Sequence, residues 1–321
     1  RYLEIPRYLL SRVATVPRPK PRGRDLGSMR TSIPRSELVP VAPVYGWQLT
    51  TANTGLARLG INGASLPLYT GTSYPTAGTV ITEKRIDRMM WMWASGNGNV
   101  TLQRCLIQPI PGGTSPGFPF LVNYNTDTFE GSSNLSYIID CDIDGSLVDA
   151  SAISKSPAAT GTFVIQRCHM WGMGSGVWLR GLGASQPIFE DSYAHGLRAY
   201  SDSHNDGFTC RDYNGPSMTI RRCRIDCSTG NDTAAYFLQP YLGFINNVTL
   251  RDSYLEGGGY NLLIENSYSG YGANLRVVNN RFRSTGWGVG YITGQPLAEQ
   301  GENYIWADSP PDCKGTPVSF V

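Results

Sequence analysis

The sequence predicts an all-β fold: a single-stranded right-handed parallel β-helix, or β-solenoid, with an extended N-terminal arm. Three observations predict it. Only 16% of the 321 residues are charged, while 37 are Gly and 18 are Tyr, a composition that favours short strands and tight turns over helices. A short segment shape recurs along the chain at intervals too small for four-stranded propeller blades. Within it, apolar residues alternate at period 2, and no segment of period 3.6 competes.

The recurring segments are VTLQRCLI (100–107), YIIDCDID (137–144), FVIQRCHM (163–170), PIFEDSYA (187–194), MTIRRCRI (218–225), VTLRDSYL (248–255) and LRVVNNRF (275–282). Each has alternating apolar residues, a polar pair ending in Cys, Ser or Asn, and another apolar residue two on. Aligning them superposes Cys105, Cys141, Cys168, Ser192, Cys223, Ser253 and Asn280, at spacings of 36, 27, 24, 31, 30 and 27 residues. One copy per coil, with coils stacked about 4.8 Å apart, turns these into an interior ladder of small side chains. A second strand per coil is predicted at 176–181, 206–212, 234–240, 260–266 and 288–294.

The elements then fall in order. Residues 1–45, rich in Pro and Arg, read as an extended basic arm. Residues 46–95 approach the solenoid and supply its first coil, 96–294 form its body, and 295–321 lose the coil pattern and cap the end, whose strand edges need covering. About eight or nine coils result. The net charge of +2 hides an asymmetry: residues 1–35 carry nine Lys or Arg against Glu4 and Asp25, and the remainder is net acidic. Such an arm reads first as a solvated or docking segment, with nucleic acid the disfavoured partner. No apolar run reaches membrane-span length. The start lacks Met and the layout of a signal peptide, so a fragment or processed product is expected.

The seven cysteines read as small buried hydrophobes in the ladder, which favours a reducing compartment during folding. No Cys-x2-Cys pair exists, and no metal site is assigned. His169, next to Cys168, points outward by alternation and reads as a lone surface histidine beside Trp171.

Function is sought in SYAHGLRAYSDSHNDGF (192–208), which holds two of the three histidines. About fifteen residues separate Ser192 from the strand at Phe208, where nine serve the coil before. A protruding loop is expected, and loops on rigid scaffolds carry function. As a catalytic site, His204, Asp206 and Arg211 would cut a polysaccharide. A lyase needs a base, His204 or Arg211, with Asp202 and Asp206 holding Ca²⁺, whereas a hydrolase needs two carboxylates. As a glycan-binding site, His195, Tyr200, Asp202, Trp178 and Tyr213 would contact sugar, aided by Tyr193 and Trp171. As structure alone, Asn205 and Asp206 would bond the local backbone and Gly207 would take a positive φ. The structural reading weighs most for His204 and Asp206.

The coils VTLRDSYL and VTLQRCLI, with SHNDGF opening a strand, resemble pectate-lyase-like right-handed β-helix proteins, and most of all the β-helix minor tail proteins of phages infecting actinobacteria. There an H-x-D-G turn leads into a coil strand; here it is His204-Asn205-Asp206-Gly207. The resemblance covers about residues 75–294. It implies the fold, and its bearing on activity is weak because β-helices host lyases, hydrolases, epimerases and adhesins. The NTD-plus-DD pattern of polygalacturonases is missing.

The expectation is a structural, host-surface-contacting virion component: a phage minor tail or tail-tip protein, assembled in the bacterial cytoplasm, that binds glycan. Its partners would be other virion proteins through the arm, a host surface glycan, and further copies of itself. The alternative is a secreted polysaccharide lyase or glycoside hydrolase, with Ca²⁺ as cofactor only in the lyase case.

Overall fold

The computed structural model describes residues 45–93, 99–114, 119–124, 134–153, 156–181, 184–201, 203–229, 232–265, 274–283 and 286–320. Among the described residues, three sheets of nine, ten and eight strands, parallel except for the last strand of the second, stack coil on coil, each coil giving one short strand to each sheet. One coil is Phe163–Gln166, His169–Trp171 and Ser175–Leu179; the next is Ile188–Glu190, Tyr193–His195 and Asn205–Cys210. The result is the predicted right-handed parallel β-solenoid.

Alternation decides which side chains fill the interior. Ile165 lies in register between Ile138 and Phe189, Met170 between Ile143 and Ala194, and Phe208 between Val177 and Tyr236. All are buried in one continuous core, each large side chain contributing about 1.5–3 kcal/mol by leaving water. The Phe208 ring stacks on Tyr236 at 5.1 Å.

Each recurring segment spans two strands rather than one, bent at a corner between the first and second sheets. The bend is a single residue in the left-handed region: Glu83, Arg104, Asp140, Arg167, Asp191, Arg222, Asp252, Asn279 and Glu302, all with φ of 50–54°. A left-handed non-glycine residue costs about 1–2 kcal/mol. Pairing along the column offsets that cost. The Arg104 Nε donates to Glu83 at 2.8 Å. Arg167 clasps Asp140 at 2.7 and 2.9 Å, and Arg222 clasps Asp191 at 2.6 and 2.8 Å.

Immediately after each bend comes the predicted ladder. The Cys168 amide donates to Ser192 Oγ (3.0 Å), Cys223 to Ser253 Oγ (3.1 Å), and Ser253 to Asn280 Oδ1 (3.0 Å). The Ser192 hydroxyl donates in turn to the Glu190 carbonyl at 2.7 Å. The position therefore needs a short side chain that both accepts and donates, which is what Cys, Ser and Asn share. All seven cysteines are free and buried, and burial pushes the Cys168 and Cys210 thiols up to about 12.

Two findings depart from expectation. Residues 45–66 do not merely approach the first coil; they strap the outer face of the second sheet. Trp47 packs with Tyr254 and lies 4.2 Å from the Arg281 guanidinium. The Leu49 carbonyl accepts from Arg224, the Gly55 amide donates to the Arg167 carbonyl, and the Leu56 amide donates to Asp142 Oδ1 at 3.0 Å. A Cβ on Gly55 would fall 1.9 Å from that carboxylate oxygen, at a φ of +55°. The first strand of the first sheet follows at Val80–Thr82.

The solenoid also runs past residue 294. Glu299–Gly301 and Tyr304–Trp306 continue the first and second sheets in parallel. Lys314–Pro317 then closes the second sheet antiparallel. This coil hides in the sequence because EQGENYIW lacks apolar alternation, although Glu302 bends left-handed and Asn303 extends the ladder to the Asn280 amide at 3.1 Å. Of the predicted arm, 1–45, all but Tyr45 lies outside the described residues.

Candidate functional site

Among the described residues, the connection between Tyr193–His195 and Asn205–Cys210 is anchored at several points, with Tyr200 exposed between them. Leu197 enters the core at 2% exposure, and Thr229 donates to its carbonyl at 2.6 Å. Arg198 donates to the Val148 carbonyl at 2.7 Å, and Asn205 Nδ2 donates to the Arg198 carbonyl at 3.0 Å. The strand begins at Asn205, so His-Asn-Asp-Gly is no turn. Gly207 does not take a positive φ. It is required because a Cβ would sit 2.1 Å from Ile225 Cγ2 and 2.9 Å from Cys227 Sγ.

The two histidines of this stretch part company. His195 belongs to the second sheet, where its Nε2 lies 2.7 Å from Nε2 of His169. His169 is therefore not a lone surface residue: it is 9% exposed and packed against Trp171, His195 and Tyr193. Gly55 of the strap approaches its Cβ. Burial, with His195 as second cause, pushes His169 down to about 3, and burial lowers His195 as well. Both rings are neutral at pH 7, so one Nε2–H donates to the other's lone pair.

His204, Asp206, Arg211 and Trp178 belong to the third-sheet side of the molecule. His204 is exposed, with Nδ1 3.3 Å from Thr233 Oγ1. Asp206 is 3% exposed; Thr209 Oγ1 donates to its Oδ2 at 3.0 Å, and Oδ1 has no partner among the described residues. Burial pushes Asp206 up to about 7, against the pull of Thr209 and Arg211. One coil on stands Asp232, pushed up to about 8 by burial and then by the charges of Asp206 and Asp226. Neither Asp232 oxygen has a partner among the described residues.

Trp178 and Arg180 lie on one coil, with Thr209 in register with Trp178 and Arg211 following on the next. The Arg211 guanidinium lies 5.2 Å from the Trp178 ring and 6.0 Å from Tyr241. The Arg180 guanidinium lies 5.6 Å from the Tyr124 ring. Three buried donors here, Trp178 Nε1, Arg180 Nε and Arg211 Nε, have no partner among the described residues. Arg180 is 9% exposed, and burial lowers its pKa.

Other expected residues stand apart. Tyr213 is fully buried, its hydroxyl donating to the Ser185 carbonyl at 3.1 Å, so it offers no face to a sugar. Tyr200 is exposed at the tip of the connection. Asp202 lies outside the described residues. As a general base, Asp206 is too buried to reach a substrate proton without movement. Arg211 is held over two rings, which suits binding better than proton abstraction. No group of three His, Cys, Asp or Glu among the described residues is arranged to hold a metal ion, and no helix among them is long and apolar enough to cross a membrane.

Sequence reasoning missed Asp232, Arg180 and the His169–His195 pair. Asp232 had a signal: the dipeptide Asn-Asp recurs in the sequence at 205–206 and 231–232, just where the second predicted strand of each coil begins. The histidine pair had none, because nothing in the sequence announces the strap beside it. Comparison with protein-family models, with curated proteins and with solved structures gave no significant match.

Proposed function

We propose that this chain is a rigid, host-surface-contacting component of a phage tail, binding an extended bacterial glycan along the outer side of its third sheet. The observation that carries this reading is the half-buried Trp178 ring with the Arg211 guanidinium of the next coil 5.2 Å from it. Aromatic faces with a few convergent polar groups are the usual makeup of such sites. The tail assignment rests on the coil resemblance and on the stiffness of stacked coils. In that role the basic arm docks to other virion proteins, and copies of the chain associate.

Titrating the intact protein with purified envelope glycans of actinobacteria tests the binding reading. Saturable binding without turnover is expected, weakened about tenfold or more by Trp178→Ala or Arg211→Ala, equivalent to about 1.4 kcal/mol. Absence of binding to every glycan, or equal binding by the variants, contradicts it. Finding the protein at fixed stoichiometry in purified particles tests the tail assignment.

A second reading, a polysaccharide lyase or hydrolase, draws on the Asp206–Asp232 pair, because carboxyls with raised pKa values cluster at functional sites. Release of unsaturated products or reducing ends, abolished by Asp206→Asn, is the result that favours it. Ca²⁺ belongs to the lyase form of this reading alone.

A further inference from the structure

The three sheets end differently at the C-terminal side of the solenoid. The first ends in Glu299–Gly301, a three-residue strand that opens on a charge. The second is closed by antiparallel Lys314–Pro317, which carries a lysine and a proline. Short edges, charges and prolines are the devices that keep strand edges from pairing. The third sheet has none of them. Its last strand, Gly288–Ile292, reads GVGYI, five residues with no charge and no proline. It pairs with Tyr260–Ile264 on one side and, among the described residues, with no strand on the other.

The surroundings of this edge are apolar and open. Trp287, just before the strand, is 76% exposed and Tyr291 is 48% exposed. A cavity of about 350 Å³ adjoins the strand, lined by Val289, Gly290, Ile292, Val318, Ser319 and Phe320. The Thr293 amide donates back to the Ile264 carbonyl at 2.9 Å. Amide direction alternates along a strand, so the amides of Gly290 and Ile292 point outward.

We propose that this edge is a docking site for a single extended, uncharged peptide segment of a partner protein, which adds as one more strand and places a bulky apolar side chain in the cavity. Strand addition supplies main-chain hydrogen bonds, and the pocket supplies selectivity. The neighbouring edges decide the occupant. A second solenoid stacking end to end needs all three edges bare, and the second is closed by Lys314–Pro317 while the first is short and charged, so one strand fits where a whole coil does not. The site is separate from the glycan face and does not depend on it.

The probe is a blocked hexapeptide of alternating valine and threonine with one central phenylalanine, titrated into the intact protein. Trp287 fluorescence and amide hydrogen exchange are the readouts. Saturable binding is expected, with exchange at the Gly290 and Ile292 amides slowed about tenfold or more. Ile292→Pro, which deletes one outward amide, should abolish binding, with circular dichroism confirming the fold. Tyr291→Lys, on an exposed side chain, places a charge on the edge and should weaken binding without touching the core. No binding at millimolar peptide overturns the proposal. So does protection of the same amides that rises with protein concentration in the absence of peptide, which would make a second copy the occupant.

Discussion

Asp206 and Asp232 show how a single buried side chain sets a property of the whole protein. Folding raises both, to about 7 and about 8, above the ordinary carboxyl value of 3.8. A raised acid stabilises the fold fully below its unfolded value, and that contribution is lost as pH rises through the folded value. His169 runs the other way: lowered to about 3 from 6.5, its contribution is lost as pH falls below 6.5. Above pH 6.5 the carboxyls act alone, so stability should fall toward pH 8 by at most about 1.4 kcal/mol per pH unit per group. Thermal unfolding across pH 6.5–8.5 checks this; the Asp206→Asn, Asp232→Asn double variant should flatten the slope, and an unchanged slope refutes the assignment. The ladder offers a second test at this scale. Ser192→Ala leaves the buried Cys168 amide without its acceptor and should cost about 1–3 kcal/mol in denaturant unfolding. Ser192→Cys, which keeps an acceptor as Cys141 does for the Cys105 amide, should cost less.

At the level of elements, the corner column and the strap do different work. The column lets each coil turn on one residue, and its alternating acids and arginines tie neighbouring coils together. The strap ties coils far apart, from Tyr254 and Arg281 back to Asp142. Leu56, wholly buried at the strap's foot, should cost about 2–5 kcal/mol when cut to alanine, measured by chemical denaturation. Much of this architecture was legible. The period-2 alternation and the small-residue spacing gave the coils, the sheets and the ladder, because burial on a repeating scaffold imposes a repeating pattern. The bend residues were visible as polar letters but not as corners, since left-handed Asp and Arg look like ordinary surface charge. The strap was illegible because it has no period of its own; its glycines and Leu56 make sense only against the sheet it covers. The site was half legible: Trp178, Arg211, His204 and Asp206 lie on the third-sheet side, while Tyr213 was lost to the core and His195 to the second sheet.

Across the solenoid, each coil pairs with its neighbours, so much of the stability is a sum over coil interfaces, with the strap adding links between distant coils. Stacked coils hold side chains at fixed spacing, so in the proposed function a glycan reading several coils would meet a surface arranged beforehand. In the proposed function that surface is Trp178 and Arg211, on two adjacent coils. The most direct test is the affinity of the intact protein for purified host-envelope glycan, measured beside Trp178→Ala and Arg211→Ala with each variant's fold confirmed by circular dichroism. The account predicts saturable binding by the native chain and a loss of about tenfold or more in each variant. Native-like affinity in both variants would contradict it.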